Sequence, residues 1–124
     1  MSDNLEQFKD QKYLNLETFR KNGQSMPTPV WFVQDGETFY VRTVAGAGKV
    51  KRVRNNGQVR IMPCGQVGEP LGTWVDAHAE ESTDETTFVL VRGLLLAKYG
   101  PMVEMFEKQT YEKGLKYTVI KINL

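Results

Sequence analysis

Positive charge is concentrated at residues 49–54 of this 124-residue chain, where the basic side chains are Lys49, Lys51, Arg52 and Arg54. The spacing predicts a short helix over residues 49–56, with the valines at positions 50 and 53 turned to the core. Because Gly46-Ala47-Gly48 precedes it, backbone N–H groups are exposed at the helix start, where the dipole and a lysine favour a phosphate. The same spacing is compatible with a solvated basic face, and both interpretations stay open.

The segment at residues 27–32 has the composition of a wall for a planar ligand. Pro27 and Pro29 lack backbone N–H groups and keep the chain extended, which predicts an edge strand. Trp31 and Phe32 point to opposite faces of such a strand. One ring then joins the core, while the other ring or the backbone lines a flat apolar slot. An edge strand with two core aromatics and no ligand is the alternative.

The other reactive residue types form no recognisable catalytic group. The chain has one cysteine, Cys64, and one histidine, His78, which excludes an internal disulfide and a zinc-type cluster. The carboxylates at residues 80–85 precede a predicted helix, where they complement its dipole. We therefore expect no catalytic triad and no metal site, and the catalytic residues stay unassigned.

Composition and charge favour a single domain over residues 1–124. Apolar residues make up 40% of the chain and charged residues 25%, as in globular folds. The net charge of +1 gives no electrostatic reason to expect nucleic acid or a membrane as a partner. The polar N-terminus is unlike a secretory signal, and the longest apolar run, residues 93–97, is too short to cross a bilayer. We expect a cytoplasmic protein.

Hydrophobic periodicity and turn residues predict mostly strands first and helices later. Strands are expected over residues 13–20, 26–33, 38–44, 59–63, 71–80 and 115–122. Besides the basic helix, helices are expected over residues 3–11, over residues 102–113, and from a capping box at residues 82–85 to Tyr99. This order predicts an α+β fold that is mainly β, namely a six-stranded antiparallel barrel with flanking helices.

The series of segments is also similar to a known family. It runs through YLNLETFRKNG (13–23), PTPVWF (27–32), FYVRT (39–43), GKVKRVRN (48–55), VRIMPC (59–64) and GTWV (72–75). It closely resembles the split β-barrel family related to pyridoxamine 5′-phosphate oxidase, in its branch of deazaflavin (coenzyme F-420) dependent oxidoreductases. The resemblance covers residues 10–123, and its motifs are specific in combination although each is weak alone.

The resemblance implies an FMN-binding type of split barrel that forms a homodimer, with two cofactor sites at the subunit interface. The second strand would flank the tricyclic ring, Lys49 would be the main phosphate contact, and residues 70–74 would approach from the other subunit. In such proteins the cofactor carries the hydride, while the protein supplies position and electrostatics. The implied cofactor-binding residues are Thr28, Pro29, Val30, Trp31, Phe32, Arg42, Thr43, Lys49, Lys51, Arg52, Pro70, Leu71, Gly72, Thr73 and Trp74.

One departure from the oxidases bears on the cofactor. Where the oxidases hold the FMN phosphate with an arginine and a lysine, this chain has Thr28 and Val33. The resemblance therefore favours deazaflavin, with FMN as the alternative cofactor, and implies an oxidoreductase that transfers a hydride to or from a small substrate. The alternative is a non-enzymatic protein that binds a flavin, haem or another tetrapyrrole. A haem carrier would need an axial ligand, and His78 is the one histidine.

Overall fold

The computed structural model describes residues 2–124, in which one antiparallel sheet carries the fold. Its strands are β1 (Tyr13–Phe19), β2 (Ser25–Trp31), β3 (Val33–Asp35), β4 (Thr38–Val44), β5 (Gln58–Cys64), β6 (Val75–Ser82) and β7 (Tyr117–Asn123). They lie in the order β2-β1-β5-β6-β7-β4-β3. The expected α+β architecture, mainly β, is confirmed.

The helices that accompany this sheet are α1 (Ser2–Glu6), α2 (Gly48–Asn55), α3 (Glu85–Tyr99) and α4 (Met102–Glu112). α1 ends at Glu6, whereas a helix was expected over residues 3–11. An α-helix cannot include Asp10, because its φ of 61° lies in the left-handed region. The predicted capping box is wrong, because Ser82 belongs to β6 and α3 begins without a side-chain cap. Within residues 2–124, no helix has the length and apolar character needed to cross a membrane.

The strand expected over residues 26–33 is broken at Phe32, and its two parts lie at opposite edges of the sheet. The prediction of six barrel strands is therefore corrected: the sheet has seven strands and is not closed. The cause lies in α3. The Phe32 N–H donates to the Tyr99 hydroxyl at 3.1 Å, and the Phe32 carbonyl accepts from Lys98 Nζ at 2.8 Å. Side chains thus satisfy backbone groups that a neighbouring strand would otherwise pair.

A second correction concerns residues 71–74, which were expected to begin a strand. β6 begins only at Val75, and residues 71–73 are exposed. The Thr73 backbone is held instead by the Gln7 side chain, whose Oε1 accepts from Thr73 N–H at 3.0 Å and whose amide donates to the Thr73 carbonyl at 3.1 Å. From Val75 onward the expected alternation appears, with the small apolar residues buried and the polar ones exposed.

Two clusters of buried side chains hold the elements together. The larger cluster joins the sheet to α2 and includes the rings of Phe8, Phe32 and Phe39. α2 packs into it through Val50 and Val53, as the sequence predicted. This anchoring fixes the start of the basic helix against the sheet.

The second cluster lies under α3, where Val91 and Leu95 pack against Val33 and Tyr40. The side of α3 that carries Val91 and Leu95 therefore packs onto the sheet. Other large apolar side chains of α3 and α4 remain exposed: Val89, Leu90, Met102, Met105, Phe106 and Tyr111. An exposed apolar set of this kind is typical of a surface that contacts another molecule.

Candidate functional site

A cavity of about 220 Å³ lies among β2, β4, β7 and the helices α2, α3 and α4, and we refer to it as the Trp31 cavity. It brings together residues that the sequence placed in a cofactor site, namely Val30, Trp31, Arg42, Thr43 and Lys49. Its other lining residues are Leu95, Phe106 and Tyr117. Nothing in the sequence marks Phe106 or Tyr117 as part of this wall.

Trp31 is held in place by two other rings. Its indole stacks on Tyr99 with ring centroids 4.1 Å apart and planes 7° apart, and Phe106 meets it edge-on at 5.2 Å. Tyr99 is itself fixed through its hydroxyl to the backbone of Lys12 and Phe32. The cavity therefore has an aromatic wall whose orientation is set by α3 and α4.

Arg42 lines the cavity from β4 but is already engaged. Its Nη1 donates to Glu107 Oε2 at 2.7 Å, and its guanidinium lies 4.1 Å from the centre of the Tyr117 ring. Glu107 also accepts two hydrogen bonds from Arg92, both at 3.0 Å. Arg92 first, and then Arg42, hold the pKa of the Glu107 carboxyl below its usual range. The carboxylate thus stays charged and shared between two arginines.

Lys49 is the second cation of the cavity. It follows Gly48, the first residue of α2, and it is half-buried. Burial, and then repulsion from Arg52, lowers the pKa of its ammonium. Within residues 2–124, no group accepts a hydrogen bond from Lys49, whereas Arg52 donates from Nε to Thr18 Oγ1 at 2.6 Å. Lys49 therefore offers this cavity a positive charge that no carboxylate neutralises.

Several residues that the family resemblance implies for the cofactor site lie outside the lining of the Trp31 cavity. Phe32 is buried among core rings, and Lys51 is exposed on α2. Thr28 and Pro29 are on β2 but outside the lining of the cavity. The segment 70–74 is likewise not part of the lining, and Trp74 lies beneath the guanidinium of Arg60 at 4.9 Å. Its approach to a site on another subunit stays a prediction.

The described part of the chain contains no cluster of histidine, cysteine and carboxylate side chains suited to a metal ion. His78 is exposed on β6, outside the Trp31 cavity. Cys64 is buried, and burial raises the pKa of its thiol to about 11, so the thiolate nucleophile is scarce at neutral pH.

The sequence model of the family described as pyridoxamine 5′-phosphate oxidase matches residues 1–124. The chain belongs to this family. The family membership predicted from the sequence is thereby confirmed, and the match spans the strands and helices that build the Trp31 cavity.

Solved structures share the fold at low sequence identity. The haem storage protein HutZ from Vibrio cholerae has a TM-score of 0.73 and 18% identity, covering 98% of this chain and 87% of HutZ. An F420 reductase has a TM-score of 0.60 and 18% identity over 95% of this chain and 90% of its own. A protein described as a domain-swapped dimer has a TM-score of 0.66 and 16% identity, covering 92% and 81%. No curated protein sequence matches the chain.

Proposed function

We propose that the chain binds the ring system of a deazaflavin, with FMN as the alternative, against the aromatic wall of the Trp31 cavity, and that it is an oxidoreductase. The observation that carries the proposal is the pairing, in one cavity, of a fixed indole with a half-buried ammonium that finds no acceptor among residues 2–124. Trp31 suits a planar ring and Lys49 suits the anionic end of the same ligand.

The balance of charge supports an anionic ligand. Arg42 and Arg92 share the single carboxylate of Glu107, so this group carries one excess positive charge before Lys49 is added. A ligand phosphate at the start of α2 would also meet unpaired backbone N–H groups, because α2 has no side-chain cap.

The uncharged Thr28 and Val33 support deazaflavin over FMN. Val33 is buried in the second cluster and Thr28 is a neutral residue of the edge strand β2, so neither supplies a cation. The positive groups then lie on one side, along α2. The long anionic tail of a deazaflavin can lie along these exposed positive groups. The single compact phosphate of FMN would gain more from cations on both sides.

The volume of the cavity supports a homodimer. Ligand sites typically enclose roughly 300–1,000 Å³, and one chain supplies about 220 Å³. Phe106, which lines this cavity, is also part of the exposed apolar set on α3 and α4. A second copy seated there would complete the walls of the site.

The chemistry of the proposal follows from the residues that line the cavity. None of them is a thiol, an imidazole or an unpaired carboxylate suited to general acid–base work. When bound, the flavin-type group supplies hydride transfer. The chain would then orient the ring through Trp31, hold the anionic end through Lys49, and exclude water with Leu95 and Phe106.

The test is a parallel titration with deazaflavin, FMN and haem at one ionic strength, followed by the fluorescence of Trp31 and Trp74. We expect deazaflavin to bind most tightly and its affinity to fall with added salt. FMN binding tenfold more tightly would overturn the preference, and failure of both flavins to bind would overturn the function. Oxidation of reduced deazaflavin by a small quinone would then distinguish an enzyme from a binding protein. Haem binding alone would favour the non-enzymatic alternative.

A further inference from the structure

Arg52 extends the positive charge at the start of α2 beyond Lys49. Its Nε donates to the hydroxyl of the fully buried Thr18 at 2.6 Å. Its Nη1 atom would lie 2.8 Å from a Cβ atom placed on Gly48, so the guanidinium folds back over the first residue of its own helix. Within residues 2–124, neither Nη atom of Arg52 has a hydrogen-bond acceptor. The helix dipole disfavours a cation at this end, and an anion bound beside Arg52 would offset that repulsion.

Arg20 is the next cation beyond this guanidinium. The Arg20 N–H donates to the Gln24 carbonyl at 2.9 Å, so the pairing of β1 with β2 continues past Phe19. Because side chains alternate along a strand, Thr18 and Arg20 share the face of β1 that meets α2 and are roughly 7 Å apart. The two guanidinium groups repel each other: burial, and then the charge of Arg20, lowers the pKa of Arg52.

Within residues 2–124, no carboxylate lies within ion-pairing distance of these two arginines. The one acidic residue of β1, Glu17, belongs to the opposite face of the strand, where it accepts two hydrogen bonds from Arg60. Lys49, Arg52 and Arg20 therefore form a row of cations that no carboxylate in the described part of the chain neutralises. The row begins in the Trp31 cavity, which Lys49 lines.

The edge strand β2 leads from the cavity to the same place. Val30 lines the Trp31 cavity. The register of β2 on β1 puts Val30, Thr28 and Met26 on one face, with Met26 opposite Thr18. All three side chains are only partly buried, so a ligand can contact this face. A group that leaves the cavity beside Val30 and follows β2 past Met26 thus arrives at Arg20, after a path of roughly 14 Å along the strand.

We propose that Arg20, together with the two Nη atoms of Arg52, binds the acidic tail of the ligand beyond its phosphate. Arg20 is then a specificity-determining residue: it favours a deazaflavin whose tail carries carboxylates over the same ring system ending at the phosphate. This inference rests on the proposed function, which places the ring at Trp31 and the phosphate at Lys49. A tail with several carboxylates matches a row of cations, whereas a phosphate held by Lys49 does not extend to Arg20.

The test compares two probes by titration calorimetry at low salt: coenzyme F-420, and the same deazaflavin ending at its phosphate. We expect Arg20→Gln to weaken the binding of coenzyme F-420 about two- to fivefold, the range of an exposed ion pair. The affinity for the phosphate-ended probe should stay unchanged. Arg20→Lys should restore most of the lost affinity. Lys121→Gln is the matched control, because it removes one positive charge from the face of β7 opposite the buried Ile120 and Ile122 and should change neither affinity.

The outcomes separate this assignment from the proposed function. If Arg20→Gln binds coenzyme F-420 as tightly as the wild type, or loses affinity for both probes alike, the assignment of Arg20 is wrong while the proposed function stands. Equal affinity of the wild type for the two probes would overturn the assignment in the same way. Failure of the wild type to bind either probe would overturn the proposed function, and the assignment with it. Added salt should reduce the difference between the two probes, because exposed charges are screened.

Discussion

Arg42 on β4 and Glu107 on α4, 65 residues apart in sequence, form an ion pair of 2.7 Å in the wall of the Trp31 cavity. Their side chains are only 12% and 9% exposed. The pair joins α4 to the sheet and holds the guanidinium of Arg42 over the Tyr117 ring, 4.1 Å from its centre. Packing of α4 and the electrostatics of the cavity are therefore linked through one carboxylate.

Substitution of that carboxylate should destabilise the fold. Glu107→Gln leaves Arg42 without its charged partner in a mostly buried position, and we expect a loss of about 1–3 kcal/mol, less than for a fully buried pair because Arg92 is half-exposed. Urea unfolding at pH 7 measures it. Glu112→Gln, an exposed change at the C-terminal end of the same helix, should stay within about 0.5 kcal/mol. Equal effects of the two changes would contradict the role given to Glu107.

The same carboxylate predicts a pH dependence of stability. Arginine partners lower the pKa of Glu107, and also of Glu17 and Glu81, in the folded state. The unfolded chain then binds more protons in acid, so the free energy of unfolding should fall as the pH drops below about 4.5. Unfolding curves between neutral pH and pH 3 test this, and Glu107→Gln should show a shallower fall. An identical slope in both proteins would count against the ion pair.

The sequence predicted those parts of the fold that depend on residues close together along the chain. The local pattern predicted the alternation of small apolar residues in β6. It also predicted the turn at Asp35-Gly36, where Gly36 has a φ of 62°. The helix carrying Lys49 was also predicted, because Val50 and Val53 have helical spacing and both reach the core. The grouping of Trp31, Arg42 and Lys49 in one site came instead from the resemblance to the family.

The features that the sequence did not indicate depend on side chains far apart in the chain. The break at Phe32 requires Tyr99 and Lys98, which lie 67 and 66 residues away. Likewise, the pairing of Glu107 with Arg42 has no local signal. Residues 71–74 look like a strand, but the backbone of Thr73 is bonded by the Gln7 side chain.

Tyr99→Phe tests the break at Phe32. The hydroxyl accepts from the Phe32 N–H and donates to the Lys12 carbonyl at 2.6 Å, so its loss leaves backbone groups unpaired. We expect a cost of about 1–3 kcal/mol in urea unfolding. The control is Tyr111→Phe, which removes the hydroxyl of an exposed tyrosine and should leave the free energy of unfolding nearly unchanged. A neutral Tyr99→Phe would show that another group satisfies this backbone.

Light scattering over a dilution series tests the homodimer. We expect a dimer at tens of micromolar and dissociation in Met105→Glu, because this change places a charge within the exposed apolar set of α3 and α4. Lys113→Glu, just after α4, is the control and should remain dimeric. A folded wild-type monomer at that concentration would refute the predicted dimer.

The most direct test of the central claim is the affinity of Lys49→Ala for deazaflavin, measured by tryptophan fluorescence beside the wild type and His78→Ala. A charge-assisted hydrogen bond is worth roughly 1.5–3 kcal/mol, so Lys49→Ala should weaken binding about tenfold to a hundredfold. Lys51→Ala should weaken it less, since Lys51 is exposed outside the cavity lining. His78→Ala should leave the affinity nearly unchanged. If Lys49→Ala and His78→Ala bind alike, Lys49 does not hold the ligand and the basic helix is a solvated face.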